Sequence, residues 1–469
     1  MAQVSILSGI YSDMAADFRT TYPKNLYPIP KQNGISTGYL KTAEGIVQFG
    51  SGPGVDRGGI VWNNVHYRVM GTKLVSVSSV GVITTLGDVG GGGSGQVSLD
   101  YSFDNLIIGS GGGLYYWNGA TVQQVTDADL GVVVDCLWVD GYTMTTDGEF
   151  LVVTELNDPF AVDPLKYGSS EVDPDPVLGL RKLRNEVYAL NRYTIEVFDN
   201  TGGSGFPFGR IDGAQITKGC VGTYASCICA ETLAFMGGGR NEAVAVYMGA
   251  GGQIRKVSDD ELEKRLKTYT EAQIAAVLLE TRKFDNHEFL YVHLPNETWV
   301  FDIVASANFQ QQIWFTLHSD IDANGPYTAR NFVLAGGQWI CGNTTSSNIG
   351  KLTENVPTQY GNMVGWQFDT TFLYNAAKGA IIHSLELVAL TGRAIAGRNP
   401  QVFYSYTNDG LTWSNERVAG VGMRGDFRKR LTWMQCGQMQ NYRGLRFRGA
   451  NDTLVSFARL EAELEPLFA

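Results

Sequence analysis

No stretch of this 469-residue chain approaches the ~18 consecutive apolar residues of a membrane-spanning helix. The opening residues, Met1 to Gly9, set no basic segment ahead of a long apolar one, so no secretory leader is expected either. Charge is scarce, with Asp, Glu, Lys and Arg at 18%. The six cysteines, Cys136, Cys220, Cys227, Cys229, Cys341 and Cys436, are irregularly spaced and form no CxxC pair. Zinc sites and disulfide frameworks depend on regular cysteine spacing, so buried free thiols in a reducing compartment are expected. Cys227 and Cys229 would share one strand face, where direct bridging is poor. The five histidines, His66, His287, His293, His318 and His383, include no HExxH, and no metal site or cofactor is expected.

What the chain has in quantity is glycine, 57 residues, beside 44% apolar residues. That combination marks a turn-rich, mainly β protein whose charge-poor surface suits coverage by partners. Short alternating runs recur around Gly or Asn turns from about residue 56 to about residue 352. His66 to Met70 turns at Gly71 into Leu74 to Val77, and Asn105 to Ile108 turns through Gly109 to Gly113 into Leu114 to Trp117. Similar pairs follow at 142–154, 186–198, 232–257, 288–302 and 331–352. Units spaced by roughly 35 to 50 residues predict a six- or seven-bladed β-propeller over 46–360, although no WD or kelch signature marks them. Ser258 to Glu261 reads as a capping box opening a helix to about Lys267, and Thr270 to Gln273 opens another to about Glu280. From 361 to 469, alternating runs such as Ser384 to Leu390, Val402 to Tyr406 and Arg443 to Arg448 predict a separate β-sandwich.

Few motifs carry chemistry. The glycine runs Gly90 to Gly95 and Gly109 to Gly113 open no helix and precede no Lys-Ser/Thr, so they are turns rather than phosphate cradles. Asp158-Pro159, Asp163-Pro164, Asp173-Pro174 and Asp175-Pro176 favour extended and turn backbone, and read as a connector rather than a calcium or catalytic site. Thr407 to Trp413 is similar to the aspartate box of sialidases, one residue short and in a single copy outside the propeller; Asp409 and Gly410 are expected to make a turn over Trp413. Net charge is −11, yet residues 378–459 hold twelve Lys and Arg against five Asp and Glu. Arg424, Arg428, Arg430, Arg443, Arg446 and Arg448 form the candidate site, a subunit or adaptor interface whose forks pair with carboxylates as well as they would with phosphates. No catalytic residue is expected.

Several segments resemble one family. They are Thr281 to Pro295 followed by the strand Thr298 to Asp302, the upstream Lys218 to Tyr224 and Thr194 to Phe198, and Leu156 to Phe160 leading through Ser169 to Asp173. Arg430-Leu-Thr-Trp433 with Cys436-Gly-Gln438 and, loosely, Asn25 to Pro28 complete the pattern. Together they are similar to the tail hub, or nozzle, of short-tailed bacteriophages, the packaged-DNA stabilisation proteins. The resemblance implies a structural virion protein rather than an enzyme. It implies a sixfold ring below the portal and its adaptor that closes the DNA-filled head, continues the channel for double-stranded DNA, and docks tail fibres, tailspikes or a needle. Localisation in the virion tail, after assembly in the host cytoplasm, follows from the same likeness. It also implies that residues 1–45 join the C-terminal platform. An acidic or neutral lumen suits passage, because a basic wall would bind the phosphates of a moving duplex. The alternative readings are a propeller glycan-binding protein and a sialidase-like hydrolase.

Overall fold

In a computed structural model that describes every residue except Met1, Gln32, Asn33, Asn157, Ala377, Asn451, Phe468 and Ala469, the chain forms two compact units. One contains residues 48–295 and 328–351; the other contains residues 1–47, 296–327 and 352–469. The Leu156 to Phe160 motif therefore includes one position, Asn157, outside the described residues.

The first unit is a β-propeller. Its first sheet runs Asp56–Trp62, Val65–Met70, Lys73–Val77 and Ile83–Asp88 as an antiparallel meander. Successive sheets begin at Ser98–Tyr101, Asp135–Val139, Val177–Leu183 and, with Gly219–Cys220 beside it, Ser226–Cys229. The hairpin Leu278–Phe284/His287–His293 and the meander that opens at Ala329–Ala335 complete the set. These seven leading strands adjoin in cyclic order, and Ala329–Ala335 returns to Asp56–Trp62, so the ring is closed. The expected six or seven blades resolve to seven.

Second strands lie between neighbouring blades and are accordingly apolar on both faces; Leu106–Ser110 is buried at every position. Trp62, Val69 and Leu74 pack on Leu106, Ile108 and Trp117, while Leu114 and Tyr116 meet Cys136 and Val152. Met70, Val75 and Val77 pack on Ile340 and Ile349, which seals the first blade to the last. The entering chain reinforces that seam: the Gly52 N–H donates to the Ser347 carbonyl at 2.9 Å.

Two-residue turns join first to second strands at one rim. Asn63-Asn64, Asp140-Gly141, Ala230-Glu231, Asp285-Asn286 and Gly336-Gly337 all have both residues at positive φ, the backbone of the type I′ hairpin. The Asp285-Asn286 turn divides the stretch Thr281 to Pro295, which the sequence presents as one strand, into the two strands of a hairpin.

The helical insert is shorter than its sequence pattern. Helix α1, Asp260–Leu266, is capped by Asp259, whose carboxylate accepts the Leu262 N–H, and Ser258 instead donates to Glu263. Helix α2, Glu271–Ala275, has the expected Thr270/Gln273 capping box but stops at Ala276. Leu278 onward is drawn into the propeller ring as a leading strand, which overrides the helical spacing.

The second unit is the β-sandwich. One sheet has the order Leu26–Pro30, Gly38–Thr42, Ser456–Pro466, Ala380–Ala389, Leu431–Met439, and Ala2–Val4 also pairs with Ser456–Pro466. The facing sheet runs Gly365–Asp369, Tyr442–Ala450, Gln401–Thr407, Arg417–Gly420. N-terminal strands thus complete a C-terminal sandwich, as expected. Aromatic rings fill its core: Trp366 and Phe457 lie 4.9 Å apart, and Phe368 stacks on Phe447 at 5.2 Å. Asn25, in αL at φ 53°, donates to the Gly365 carbonyl at 2.6 Å and accepts the His318 N–H at 2.8 Å. Helix α3, Ile303–Phe309, follows strand Thr298–Asp302 and carries no expectation from the sequence.

The Ala230-Glu231 turn holds two Cβ-bearing residues in a conformation costing roughly 1–2 kcal/mol each. The double substitution A230N/E231G keeps the Ala230-position N–H bond to Glu288. It is expected to raise stability by about 1 kcal/mol, read as a higher urea midpoint at unchanged slope.

Candidate functional site

Where the seven leading strands converge, the axis of the propeller is filled by side chains. Arg68, fully buried, forks onto Asp56 at 2.6 and 2.9 Å and donates to the Asn331 carbonyl at 2.9 Å. Asn331 donates to Asp56 at 2.7 Å and accepts from Gln96. Its own N–H and that of Phe332 donate to Glu280 at 3.1 and 2.9 Å, and His293 sits 2.7 Å from the same carboxylate. On the far side Asp135 accepts from Ser98, from the Leu180 N–H at 2.9 Å and from Arg181 at 2.8 Å. Arg181 also donates to the Thr223 carbonyl at 2.7 Å, and Tyr224 reaches the Gln96 carbonyl at 3.2 Å. One polar network therefore joins all seven blades.

Its electrostatics are those of a buried structural network. Burial pushes the Tyr224 hydroxyl up to about 12, with the Asp135 charge adding to the effect. Burial, helped by the Arg68 charge, pushes His66 down to about 3. His293 is also lowered by burial, against the pull of Glu280, and burial brings His318, in the second unit, down to about 4. A channel spanned by single side chains cannot admit a duplex whose major groove alone is about 12 Å wide.

The arginine cluster separates into three environments. Arg443 is buried: it donates to the Cys436 carbonyl at 2.6 Å and to Asn408 at 3.0 Å, and lies 4.1 Å from the Tyr406 ring centre. Arg446 pairs with Asp369 at 2.8 and 3.0 Å, directly across the ladder, and covers Trp413 at 3.7 Å. Arg448 and Arg430 fork onto Glu416 and Glu386 but remain largely exposed. Arg424 and Arg428 are exposed on the 421–430 loop. That loop is tied to the 389–400 loop, since the Gly425 N–H donates to the Gly392 carbonyl at 3.0 Å and the Val421 N–H to the Pro400 carbonyl at 2.8 Å. Phe427, 72% exposed, and Met423, 53% exposed, flank the two arginines, and Ile395 and Leu390 are exposed on the partner loop. Sequence reasoning found the charges and missed the apolar side chains among them.

The other motifs resolve simply. Asp409 accepts the Leu411 and Thr412 N–H groups at 2.9 and 2.8 Å and the Thr412 hydroxyl at 2.6 Å, so the aspartate-box likeness is a turn. Trp413 packs under Arg446. The glycine run Gly90 to Gly95 is pinned by Arg57, which donates to the Gly95, Gly71 and Gly90 carbonyls at 2.8, 3.0 and 3.1 Å. All six cysteines are free, five of them buried and Cys227 half-buried. Among the described residues no group of His, Cys, Asp or Glu is placed to hold a metal ion, and no helix is long and apolar enough to cross a membrane.

Residues 2–357 match the family model described as bacteriophage P22 Gp10, beta-propeller, and residues 365–465 match that of its beta-sandwich. The tail hub protein gp10 of Salmonella phage P22 is 28% identical over 99% of this chain and 99% of its own length. Among solved structures, the WD40 domain of Neurospora crassa Pan2 is 11% identical, with a TM-score of 0.43 over 66% of this chain and 96% of its own. The N-terminal domain of Nup159 is 9% identical, with a TM-score of 0.42 over 69% and 97%. Scores that low add nothing to the assignment.

Removing Asp135 strands the Arg181 cation inside the axis. Asp135→Ala is expected to cost about 3–5 kcal/mol, measured by urea unfolding at pH 7. Between the unfolded histidine value near 6.5 and the folded value near 3, the unfolded chain holds a proton on His66 that the folded chain does not. Stability therefore falls as pH drops through that window, by up to about 1.4 kcal/mol per pH unit for each such histidine. Replacing His66 by Gln is expected to shallow the loss between pH 7 and pH 4.5 in the same assay.

Proposed function

This chain belongs to the bacteriophage P22 Gp10 family of tail hub proteins, and from that premise we propose that six copies form a ring below the portal and its adaptor, closing the filled head and continuing the DNA channel. The carrying observation is the filled axis of the propeller. If DNA passes this protein, it passes between copies, along a wall made of their outer surfaces, and a closed ring of one chain is the economical way to build such a wall. An overall charge of −11 keeps that wall from holding phosphates.

The paired loops 389–400 and 421–430 are the proposed contact with the neighbouring copy or the adaptor. Arg393, Arg424, Arg428 and Lys429 stand exposed there beside Phe427, Met423, Ile395 and Leu390. Exposed apolar side chains ringed by cations suit an acidic partner surface that excludes water from the centre and pairs charge at the rim. Arg430 and Arg448, already forked onto their own sheet's carboxylates, serve at the margin. Tail fibres, tailspikes or a needle dock elsewhere on the hub, and assembly takes place in the host cytoplasm before the particle is released.

Cryo-electron microscopy of virions carrying this chain is the direct test. The expected result is six copies around the DNA below the adaptor, with the two loops against protein. The R424E/R428E variant is expected to fold as a monomer with an unchanged melting temperature, yet to be missing from particles, which then lose their DNA. Unchanged incorporation with altered DNA retention would reassign these loops to the channel wall.

A further inference from the structure

The propeller face that carries the Arg192-Tyr193 turn holds a cavity of about 350 Å³, bounded by that turn, by the 239–244 loop and by the helical insert. Its volume falls in the range of ligand sites, about 300–1,000 Å³. Two arginines meet on one ring there. The Arg192 guanidinium lies 4.7 Å from the Tyr193 ring centre, and that of Arg240 lies 5.0 Å from it. Each is fixed by a carboxylate on the same edge. Arg192 uses Nε and Nη2 on Glu271 at 3.0 and 2.7 Å, and Arg240 uses Nε and Nη2 on Asp173 at 2.8 and 2.7 Å. Nη1 of both guanidiniums makes no hydrogen bond among the described residues, so two rigid forks keep donors available at one cavity.

The Asp-Pro connector explains this rigidity. Asp173 holds Arg240, and Asp175 accepts the Tyr193 N–H at 2.5 Å, so the acidic pairs of the connector position the ring and one fork. Tyr269, half-buried, gives the opposite wall an apolar face, the exposed Lys267 adds a third cation, and the Glu242 carboxylate in the lining is held by Lys218. Anchored forks lose little entropy when they bind an oxyanion, and a planar guanidinium matches a carboxylate in two bonds.

We propose that this cavity is a docking site for an acidic segment of a partner protein, with a glutamate or aspartate carboxylate on the free edges of Arg192 and Arg240 and an adjacent apolar residue against Tyr269. With Arg192, Arg240 and Lys218 paired to Glu271, Asp173 and Glu242, Lys267 is the lining cation left without a carboxylate among the described residues; together with the free Nη1 donors and the aromatic wall it suits a peptide carboxylate with an apolar neighbour better than a bare inorganic anion, which would leave that wall unused. The cavity lies wholly within one propeller, so a chain that fails to form rings still carries it.

The test titrates the full-length chain with fluorescein-labelled Gly-Leu-Glu-Leu-Glu-Gly, its Gln counterpart, inorganic phosphate and N-acetylneuraminate, the unlabelled anions as competitors, followed by anisotropy. The Glu peptide is expected to bind at least about ten-fold more tightly than the Gln peptide. Arg240→Lys, which keeps the charge and loses the fork, is expected to weaken it about ten-fold. Lys267→Gln, on an exposed side chain with no structural partner, is expected to weaken it several-fold at an unchanged melting temperature. Equal binding of the two peptides, no peptide binding, insensitivity to both substitutions, or displacement of the Glu peptide by an equimolar amount of phosphate or neuraminate would overturn the proposal.

Discussion

Seven wedge-shaped sheets can share one axis only if their narrow ends approach closely and still satisfy every polar group they bury. Glycine meets the first demand. A Cβ on Gly59 would stand 3.1 Å from the Arg68 guanidinium, and one on Gly179 3.1 Å from the Asp135 carboxylate. The second demand falls to Asp56, Asp135, Glu280, Arg68 and Arg181. An ion pair in such a place returns little net stability, because desolvating both charges offsets most of their attraction. What it gives is register: Asp135 takes bonds from the second and fourth blades, and Asn331 from the first and second, so a blade shifted by one residue would leave a charge unpaired.

That constraint also bears on function. A propeller whose axis is an ion-pair network is a solid body, with its usable surface on rims and outer strands. A structural virion component needs such a body: its parts must transmit load and keep loop positions fixed while partners assemble on them. Four-stranded blades with short edges also leave little unpaired backbone to recruit strands from other chains. The low charge fraction fits the same economy, since surfaces meant for coverage avoid the desolvation cost of many ions.

The sequence made the architecture legible through turn chemistry. Asp140-Gly141 and Gly336-Gly337 are plain hairpin signals, and the spacing of alternating runs gave a blade count within one. Asp285-Asn286 was readable in the same way, but the polar flanks Thr281 to Lys283 and His287-Glu288 do not announce a strand on each side of it. Ala230-Glu231 could not be read at all, because nothing in those two side chains asks for positive φ. Nor could the end of α2, where tertiary demand for a leading strand outweighs helical spacing at Val277 and Leu278. The polar axis was invisible for a different reason: Asp56, Gln96, Asp135, Arg181, Glu280 and Asn331 are isolated in sequence, and only ring closure brings them together.

The arginines show how local charge misleads without register. On strand Tyr442–Ala450, Leu445 and Phe447 face the core, which sends Arg446 and Arg448 to the other side of the sheet, within reach of Asp369 on one neighbouring strand and of Glu416. Cross-strand pairing then absorbs charges that the sequence presents as a basic surface. Arg443, near the strand's start, is drawn inward instead and donates to carbonyls of Leu431–Met439 in the facing sheet. The formal excess of positive charge over 378–459 thus shrinks, and its densest exposed remainder, Arg393, Arg424, Arg428 and Lys429, lies on the two loops. There Phe427 and Met423 make the stronger argument for a partner, since an exposed arginine is at ease in water and an exposed phenylalanine is not.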